Sequence, residues 1–523
     1  MPGSPSLADE LRVTALTHPD RAAVTDGIAT LTYRALDALV ADLAAALTAA
    51  GVRVGDCVIW HGRKNVAAVA AIHGILRAEA GFVPVDPDGP IARAELIVGL
   101  TRPRLLLADG VTKDRWDEAM PALEWRPATP GDVVAGDLWL APWPGTPREP
   151  VESLAYVLHT SGSTGRPKGV VHTQSSALAF IDWAVTELAL TCDDVVVNSA
   201  PLHFDPSTLH LFGAARVGAT VALLPSAAAA FPRKYLAYCR DVGATVLYAV
   251  TSTMAWLARR GKDMLGELTS VRAVVFGGEV MQAGDMNILL DGLPQARFLN
   301  VYGPTESNVC TFYELPAARL APDAVIPIGR SLPGTDIVLV GDDLLPVPPG
   351  EPGELLVRGP TMMASYLDPA DTAKAFVRVA GEPWYATGDL VLQGSSGELE
   401  FIGRRDGQIK TRGFRVELGE VERYLAAIEG VHEAVALGAR DQEMNTVIIA
   451  FVSADRPTGG AALNEALSAR VPRYMLPERI IEVVGDLPKL TNGKVDRQSL
   501  AQRAQRILHG QDRTQVVGDG GRA

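Results

Sequence analysis

The chain has 523 residues, 47% hydrophobic and 21% charged, an ordinary balance for a globular protein and too many residues for one core, so two or more domains are expected. Its formal net charge of −13 argues against nucleic acid or an anionic membrane as a general partner. The four cysteines, at 57, 192, 239 and 310, have no metal-like spacing and read as reduced intracellular thiols, excluding a disulfide scaffold.

Met1-Pro-Gly-Ser-Pro lacks the charged start and apolar run of a signal peptide, and apolar stretches are broken before the ~20 residues of a membrane span, so a cytoplasmic location is expected. Residues 33–50 carry a helical period that stops at Gly51, a natural C-terminal cap. Cys57-Val-Ile-Trp60 reads as a strand, 66–78 as a helix, and Gly81-Phe-Val-Pro-Val85 and Arg104-Leu-Leu-Leu-Ala108 as strands. This βα alternation predicts parallel sheets covered by helices.

Residues 156–169 (YVLHTSGSTGRPKG) are the most telling stretch. The apolar start reads as the end of a buried strand. The loop after it offers hydroxyls, glycines that let backbone N–H groups converge, and one mobile cation, Lys168, which together suit a phosphate. It is not the common P-loop, because Pro167 precedes the lysine and Gly169 follows it, so no helix is expected to start there. Strands follow at 220–224, 245–248 and 273–276, the last running into Phe276-Gly-Gly-Glu279. Next comes Asn300-Val-Tyr-Gly-Pro-Thr-Glu306, an aromatic ring beside a hydroxyl and a carboxylate. From about Ile326 the texture shifts to short strands (336–340, 354–357) and Gly/Pro turns. Tyr385-Ala-Thr-Gly-Asp389 precedes a polar segment, 403–410, where a hinge is placed near Asp406. A terminal α+β unit ends with Leu490-Thr-Asn-Gly-Lys494-Val-Asp-Arg497, and 511–523 is polar and Gly-rich, so disorder is expected.

In this order and spacing the set resembles the adenylate-forming superfamily, specifically the amino-acid adenylation enzymes of nonribosomal peptide assembly. The resemblance runs from Leu31-Thr-Tyr33 and Val83-Pro-Val-Asp-Pro87 to Arg497. It implies an α/β fold: a large N-terminal adenylate-forming domain (1–402), of βα-layered subdomains plus a small β-rich one, and a mobile C-terminal α+β lid (403–510). It also implies ATP and Mg²⁺. Thr160, Ser161, Gly162, Ser163, Thr164, Gly165 and Lys168 would wrap the β- and γ-phosphates. Tyr302 would pack on adenine, with Gly278 and Asn300 at the base's edge, and Glu279 and Gly303 would belong to the ATP site as well. Asp389 would take the ribose hydroxyls, assisted by Arg404. Thr305 would meet the α-phosphate and Glu306 would hold the metal. Lys494 would carry the first step: a substrate carboxylate is already ionised at neutral pH, so the task is to stabilise charge building on the α-phosphate rather than to remove a proton. The lid would turn about Asp406, and Gly413 would border a tunnel for a phosphopantetheine thiol.

Within that resemblance, Asp205 of His203-Phe-Asp-Pro-Ser207 would pair with the α-ammonium of an amino acid; a structural N-cap is its alternative. Pro206, Leu209, Tyr248, Val275, Gly277, Val301, Val309 and Cys310 would form the rest of the pocket. None is charged, so a charged substrate side chain would enter without a partner. Leu209, Tyr248, Val309 and Cys310 are similar to the pocket of free-standing L-proline:carrier-protein adenylating enzymes, which implies proline or a close cyclic analogue, with a small aliphatic amino acid as the alternative and a coenzyme A ligase as the rival class. No carrier-domain motif follows Arg497, so a separate carrier protein is the expected partner, and a small activator protein is a further candidate. Lys489-Leu490 and Phe82 depart from the family pattern without removing a catalytic group.

Overall fold

The computed structural model describes residues 6–128, 137–162, 166–405, 408–454, 458–483, 485–489 and 495–510. The chain divides into two compact units: Met1–Pro87, Ile97–His159 and Gly169–Gly403 form one, and Asp88–Leu96, Thr160–Lys168 and Arg404–Ala523 the other.

The first unit is built on three sheets. In a nine-stranded sheet, Arg297–Tyr302, Ala273–Gly277, Val246–Val250, Val195–Asn198, Thr220–Leu223 and Ala22–Thr25 run parallel in that spatial order, and antiparallel strands flank them at both edges. An eight-stranded sheet centres on Leu154–Thr160, Gly81–Val85, Cys57–His61 and Leu105–Asp109. The β-rich texture after residue 326 forms a five-stranded sheet around Gly353–Arg358 and Glu382–Gln393.

The strands are Val-, Leu- and Ala-rich because parallel strands covered on both faces need apolar side chains throughout. The two-residue period of a strand then sorts them. In Ala273–Gly277, Ala273 and Val275 join one core cluster while Val274 and Phe276 join another on the opposite face. Helices enter with side-chain caps: Thr32 accepts from Ala35 N ahead of Tyr33–Ala49, and Asn65 from Ala68 N ahead of Val66–Arg77. Lys168 opens a strand, Lys168–Thr173, as the proline before it and the glycine after it require.

In the second unit a three-stranded sheet, Val431–Arg440, Thr446–Ala454 and Arg479–Val483, is covered on both faces. Ala436, Ile448, Ala450 and Val452 pack with Leu418–Ala426 and Gly460–Ser468; Val435, Leu437, Ile449 and Phe451 pack with Arg497–Leu508. A hairpin, Gln408–Thr411 with Phe414–Glu417, turns at Arg412 and Gly413 with φ of 51° and 83°. Two consecutive positive φ values make the tight turn whose twist matches paired strands, and glycine takes that conformation without penalty.

Candidate active site

One face of three neighbouring parallel strands makes the floor of the site. Tyr248 is in register with Val275, and Val275 with Leu299; Gly277 is in register with Val301. The same two-residue period therefore brings Tyr248, Val275, Leu299 and Val301 to one side, near the carboxyl ends of their strands, where open α/β sheets take ligands. With Leu209, Val309, Phe180, Trp183 and Leu188 they line an apolar cavity of about 10 Å³, enough for about one water. Of the expected pocket residues, Leu209, Tyr248, Val275, Val301 and Val309 meet there. Cys310 packs instead with Tyr302, Ile328 and Leu355, its backbone N–H donating to Tyr302 O at 2.9 Å.

Gly277 leaves no room for a side chain: a Cβ would lie 2.2 Å from Val301 O. Its neighbour Gly278 faces open space but holds φ at +93°. The turn is tied down by Thr251, whose hydroxyl reaches Gly277 O at 3.1 Å and Glu279 O at 3.0 Å.

Asp205 and Pro206 open a short helix, Pro206–Thr208, that passes into a π-helical turn, Leu209–Gly213, and then Ala214–Val217. The Asp205 side chain makes no capping hydrogen bond to this helix. Burial first, and then the Asp205 charge, push the phenols of Tyr248 and Tyr156 upward. The π turn, which no residue pattern announced, frequently marks functional sites. It carries His210, fully buried, with its ring 5.5 Å from that of Tyr248. Burial holds its pKa down to about 3.

A second group lies at the end of Arg297–Tyr302 and the turn after it. Asn300 donates to Pro327 O at 2.7 Å. Tyr302 donates its phenol proton to the Asp389 carboxylate, and both are buried. Burial and that carboxylate push the phenol well above its ordinary range. The Asp389 backbone is set by Thr387, whose hydroxyl accepts from Asp389 N at 3.0 Å and donates to Leu355 O at 2.8 Å. Gly303 admits no side chain, since a Cβ would lie 2.4 Å from Asn308 O.

Thr305 and Glu306 are held by residues that motif reading missed. His172 Nε2 donates to Thr305 O at 2.9 Å, and Tyr366 OH to Glu306 Oε1 at 2.5 Å. Met363 N donates to Glu306 O at 2.7 Å. Burial drives His172 down to about 4, so it stays neutral and keeps one nitrogen as donor. His172 lies in the strand that begins at Lys168, so its closeness to the phosphate loop was a usable signal. Tyr366 lies 60 residues from Glu306 in the chain, and only the fold could join them. Among the described residues no group of three or more His, Cys, Asp or Glu could hold a metal.

In the second unit, Thr160 ends one strand and Lys168 begins the next. Gly162 is obligatory, because a Cβ would lie 2.1 Å from Arg166 O. Ser161 Oγ donates to Arg415 O at 2.9 Å and accepts from Glu417 N at 3.1 Å. Arg404 closes the strand Leu399–Arg404 and Gly413 sits in the hairpin turn. Ser163, Thr164, Gly165, Asp406, Lys494 and the 511–523 tail lie outside the described residues.

Comparison with known proteins gives the family. The AMP-binding enzyme family matches residues 11–367, and the AMP-binding enzyme C-terminal domain matches 420–494. The chain belongs to the AMP-binding enzymes. Among curated members of this group, the L-proline--[L-prolyl-carrier protein] ligase of Pseudomonas fluorescens is 34% identical over 93% of this chain and 97% of its own length. A probable non-canonical nonribosomal peptide synthetase, CymA of Salinispora arenicola, is 34% identical over 93% of this chain, which spans only 6% of that much longer protein. The crystal structure of IdnL1 superposes with a TM-score of 0.78 at 30% identity, over 93% of this chain and 100% of that one. No helix among the described residues is long and apolar enough to cross a membrane.

Proposed function

We propose that this AMP-binding enzyme activates an amino acid as its aminoacyl adenylate and passes the acyl group to the phosphopantetheine thiol of a separate carrier protein, in the cytoplasm. In the first step a substrate carboxylate oxygen attacks the α-phosphorus of ATP, and the bond to the β-phosphate breaks with release of pyrophosphate. In the second the thiolate attacks the acyl carbon, and AMP leaves with the electrons of the C–O bond. No general base is needed for the first step, because the carboxylate is ionised. Residues 1–402 serve as the core and 403–510 as the lid.

The observation that carries this reading is Asp205, a carboxylate whose charge is felt by the Tyr248 phenol, Tyr248 itself lining an apolar cavity with Leu209, Val275, Val301 and Val309. An α-ammonium is the substrate group that such a carboxylate attracts, and a compact neutral side chain suits the lining. Proline or a close cyclic analogue is the proposed substrate, supported by similarity to the prolyl-carrier ligase along nearly its whole length. Asp389 and Tyr302 take the ribose and adenine, and Thr160 to Lys168 take the β- and γ-phosphates. Glu306, buried and supported by Tyr366, is the residue that would hold Mg²⁺. The bound metal would neutralise phosphate charge. Lys494 is the proposed cation at the α-phosphate.

The test is amino-acid-dependent ATP–pyrophosphate exchange with L-proline, ring-substituted prolines, pipecolate, valine, alanine and a benzoate control, followed by loading of a holo carrier protein against free coenzyme A. Exchange with proline and loading of the carrier are expected. Exchange with valine or alanine alone would keep the chemistry and replace the substrate. Efficient use of free coenzyme A would make it an acyl-CoA ligase, and silence across the panel would overturn the reading.

A further inference from the structure

The amino-acid subsite does not account for Lys64. This lysine follows the strand Cys57–His61 and precedes Asn65, the cap of the next helix. Its ammonium reaches the far end of another strand, Val195–Asn198, and donates to Asn198 O at 3.0 Å, Asn198 Oδ1 at 3.3 Å and Ala200 O at 3.4 Å. An ammonium has three N–H donors, and all three meet carbonyl oxygens of one turn. Burial pushes its pKa down to about 7, the mark of a group that has given up water for these contacts.

That turn leads directly into the segment ending at Asp205. Ser199 Oγ donates to Tyr248 O at 3.4 Å, joining the turn to the pocket floor. At the other end, Ser207 Oγ donates to Phe204 O at 2.6 Å and Thr208 Oγ1 to Asp205 O at 2.7 Å. Residues 199–205 are thus fastened at their end by local hydroxyls and at their start by Lys64.

We infer that Lys64 is a positioning residue for the amino-acid subsite: by gathering the carbonyls of Asn198 and Ala200 it sets the path of residues 199–205 and so the place of the Asp205 carboxylate. The inference rests on the reading of Asp205 as the partner of the substrate ammonium. Lys64 acts on that carboxylate only through the backbone, so its loss is felt in amino-acid affinity rather than in the use of ATP.

The experiment compares ATP–pyrophosphate exchange and thermal melting for the wild type, Lys64→Met, Asp205→Ala and a control, Arg272→Met. Arg272 fastens the opposite end of the same strand, donating to Asp194 Oδ1 at 2.8 Å and Asp194 Oδ2 at 2.7 Å just ahead of Val195. Lys64→Met is expected to raise the amino-acid KM roughly tenfold or more, since small misplacements of binding groups carry large costs. Its ATP KM and its kcat at saturating amino acid should stay within about threefold of wild type. Arg272→Met is expected to lower Tm with little change in amino-acid KM. A normal amino-acid KM in Lys64→Met beside an impaired Asp205→Ala overturns this inference alone, as does an equal rise in Arg272→Met. A silent wild type, or a normal Asp205→Ala, overturns the Asp205 reading and this inference with it. Should Lys64→Met not fold, Lys64→Gln, which retains two N–H donors on a shorter stem, is measured the same way, with a KM rise of about three- to tenfold expected and a normal KM overturning the inference.

Discussion

Two adjacent glycines illustrate how differently one residue type can be constrained. Gly277 has an ordinary strand conformation but no space, because a Cβ would sit 2.2 Å from Val301 O on the paired strand. Gly278 has space but a φ of +93°. Gly277→Ala must push two central strands apart beside Val301, which also lines the cavity, and is expected to cost about 1–3 kcal/mol in denaturant melts together with most of the amino-acid-dependent exchange. Gly278→Ala pays for its backbone conformation, also about 1–3 kcal/mol, and should leave the amino-acid KM closer to wild type than Gly277→Ala does at equal loss of stability. Equal rises in amino-acid KM would show that the pocket does not feel Val301. Both glycines stood out in the sequence as part of Phe276-Gly-Gly-Glu279. Their separate reasons did not, because one is a contact with a strand about two dozen positions away and the other a local dihedral.

At the scale of elements, strands and helices were legible wherever the apolar period was long. The helix expected over 66–78 is Val66–Arg77, and the strand expected at 104–108 is Leu105–Asp109. The π turn at Leu209–Gly213 was not legible, since an extra residue in a helical turn leaves no compositional trace. The same elements bury several imidazoles. His61 accepts from Trp116 Nε1 at 2.8 Å on Nδ1, so its other nitrogen carries the proton toward Asp86 O, 3.2 Å away. Burial holds His61 and His172 down to about 4, and His73 and His210 to about 3. In the unfolded chain each would titrate near 6.5. The folded-state values are lowered, so their contribution is complete above the unfolded value and is lost as pH falls toward the folded one. Each histidine adds a slope of up to about 1.4 kcal/mol per pH unit below 6.5. Thermal melts should therefore show a steady fall in Tm from pH 6.5 to 5, above the range where ordinary carboxylates titrate. A flat Tm across that interval would mean that these histidines are protonated in the folded protein.

At the scale of the whole molecule, the residues proposed for catalysis come from segments far apart in the chain, and the sequence carried that information as ordered motifs rather than as contacts. The motif order proposes which loops belong to one reaction; it could not supply the Tyr366 support, which arises only from folding. The proposed chemistry also makes opposite demands at one site. Adenylation needs a cation at the α-phosphate, whereas thioester formation needs that approach open to a thiol. Lys494 and Asp406 separate the two demands experimentally. Removing the cation with Lys494→Ala takes away charge stabilisation present only in the transition state, a loss of about 10²–10³ in rate, while ATP binding and transfer from a pre-formed aminoacyl adenylate should persist. Asp406→Pro does the reverse. Proline fixes φ near −65°, so a position proposed to change its dihedral state between the half-reactions would be confined to one. Pyrophosphate exchange should then remain near wild type while loading of the carrier protein falls by at least tenfold, measured as radiolabelled acyl transfer at saturating carrier. Equal loss of both half-reactions in Asp406→Pro would mean that this position supports the fold rather than the change of state, and a Lys494→Ala enzyme with near-normal exchange would move the catalytic cation elsewhere.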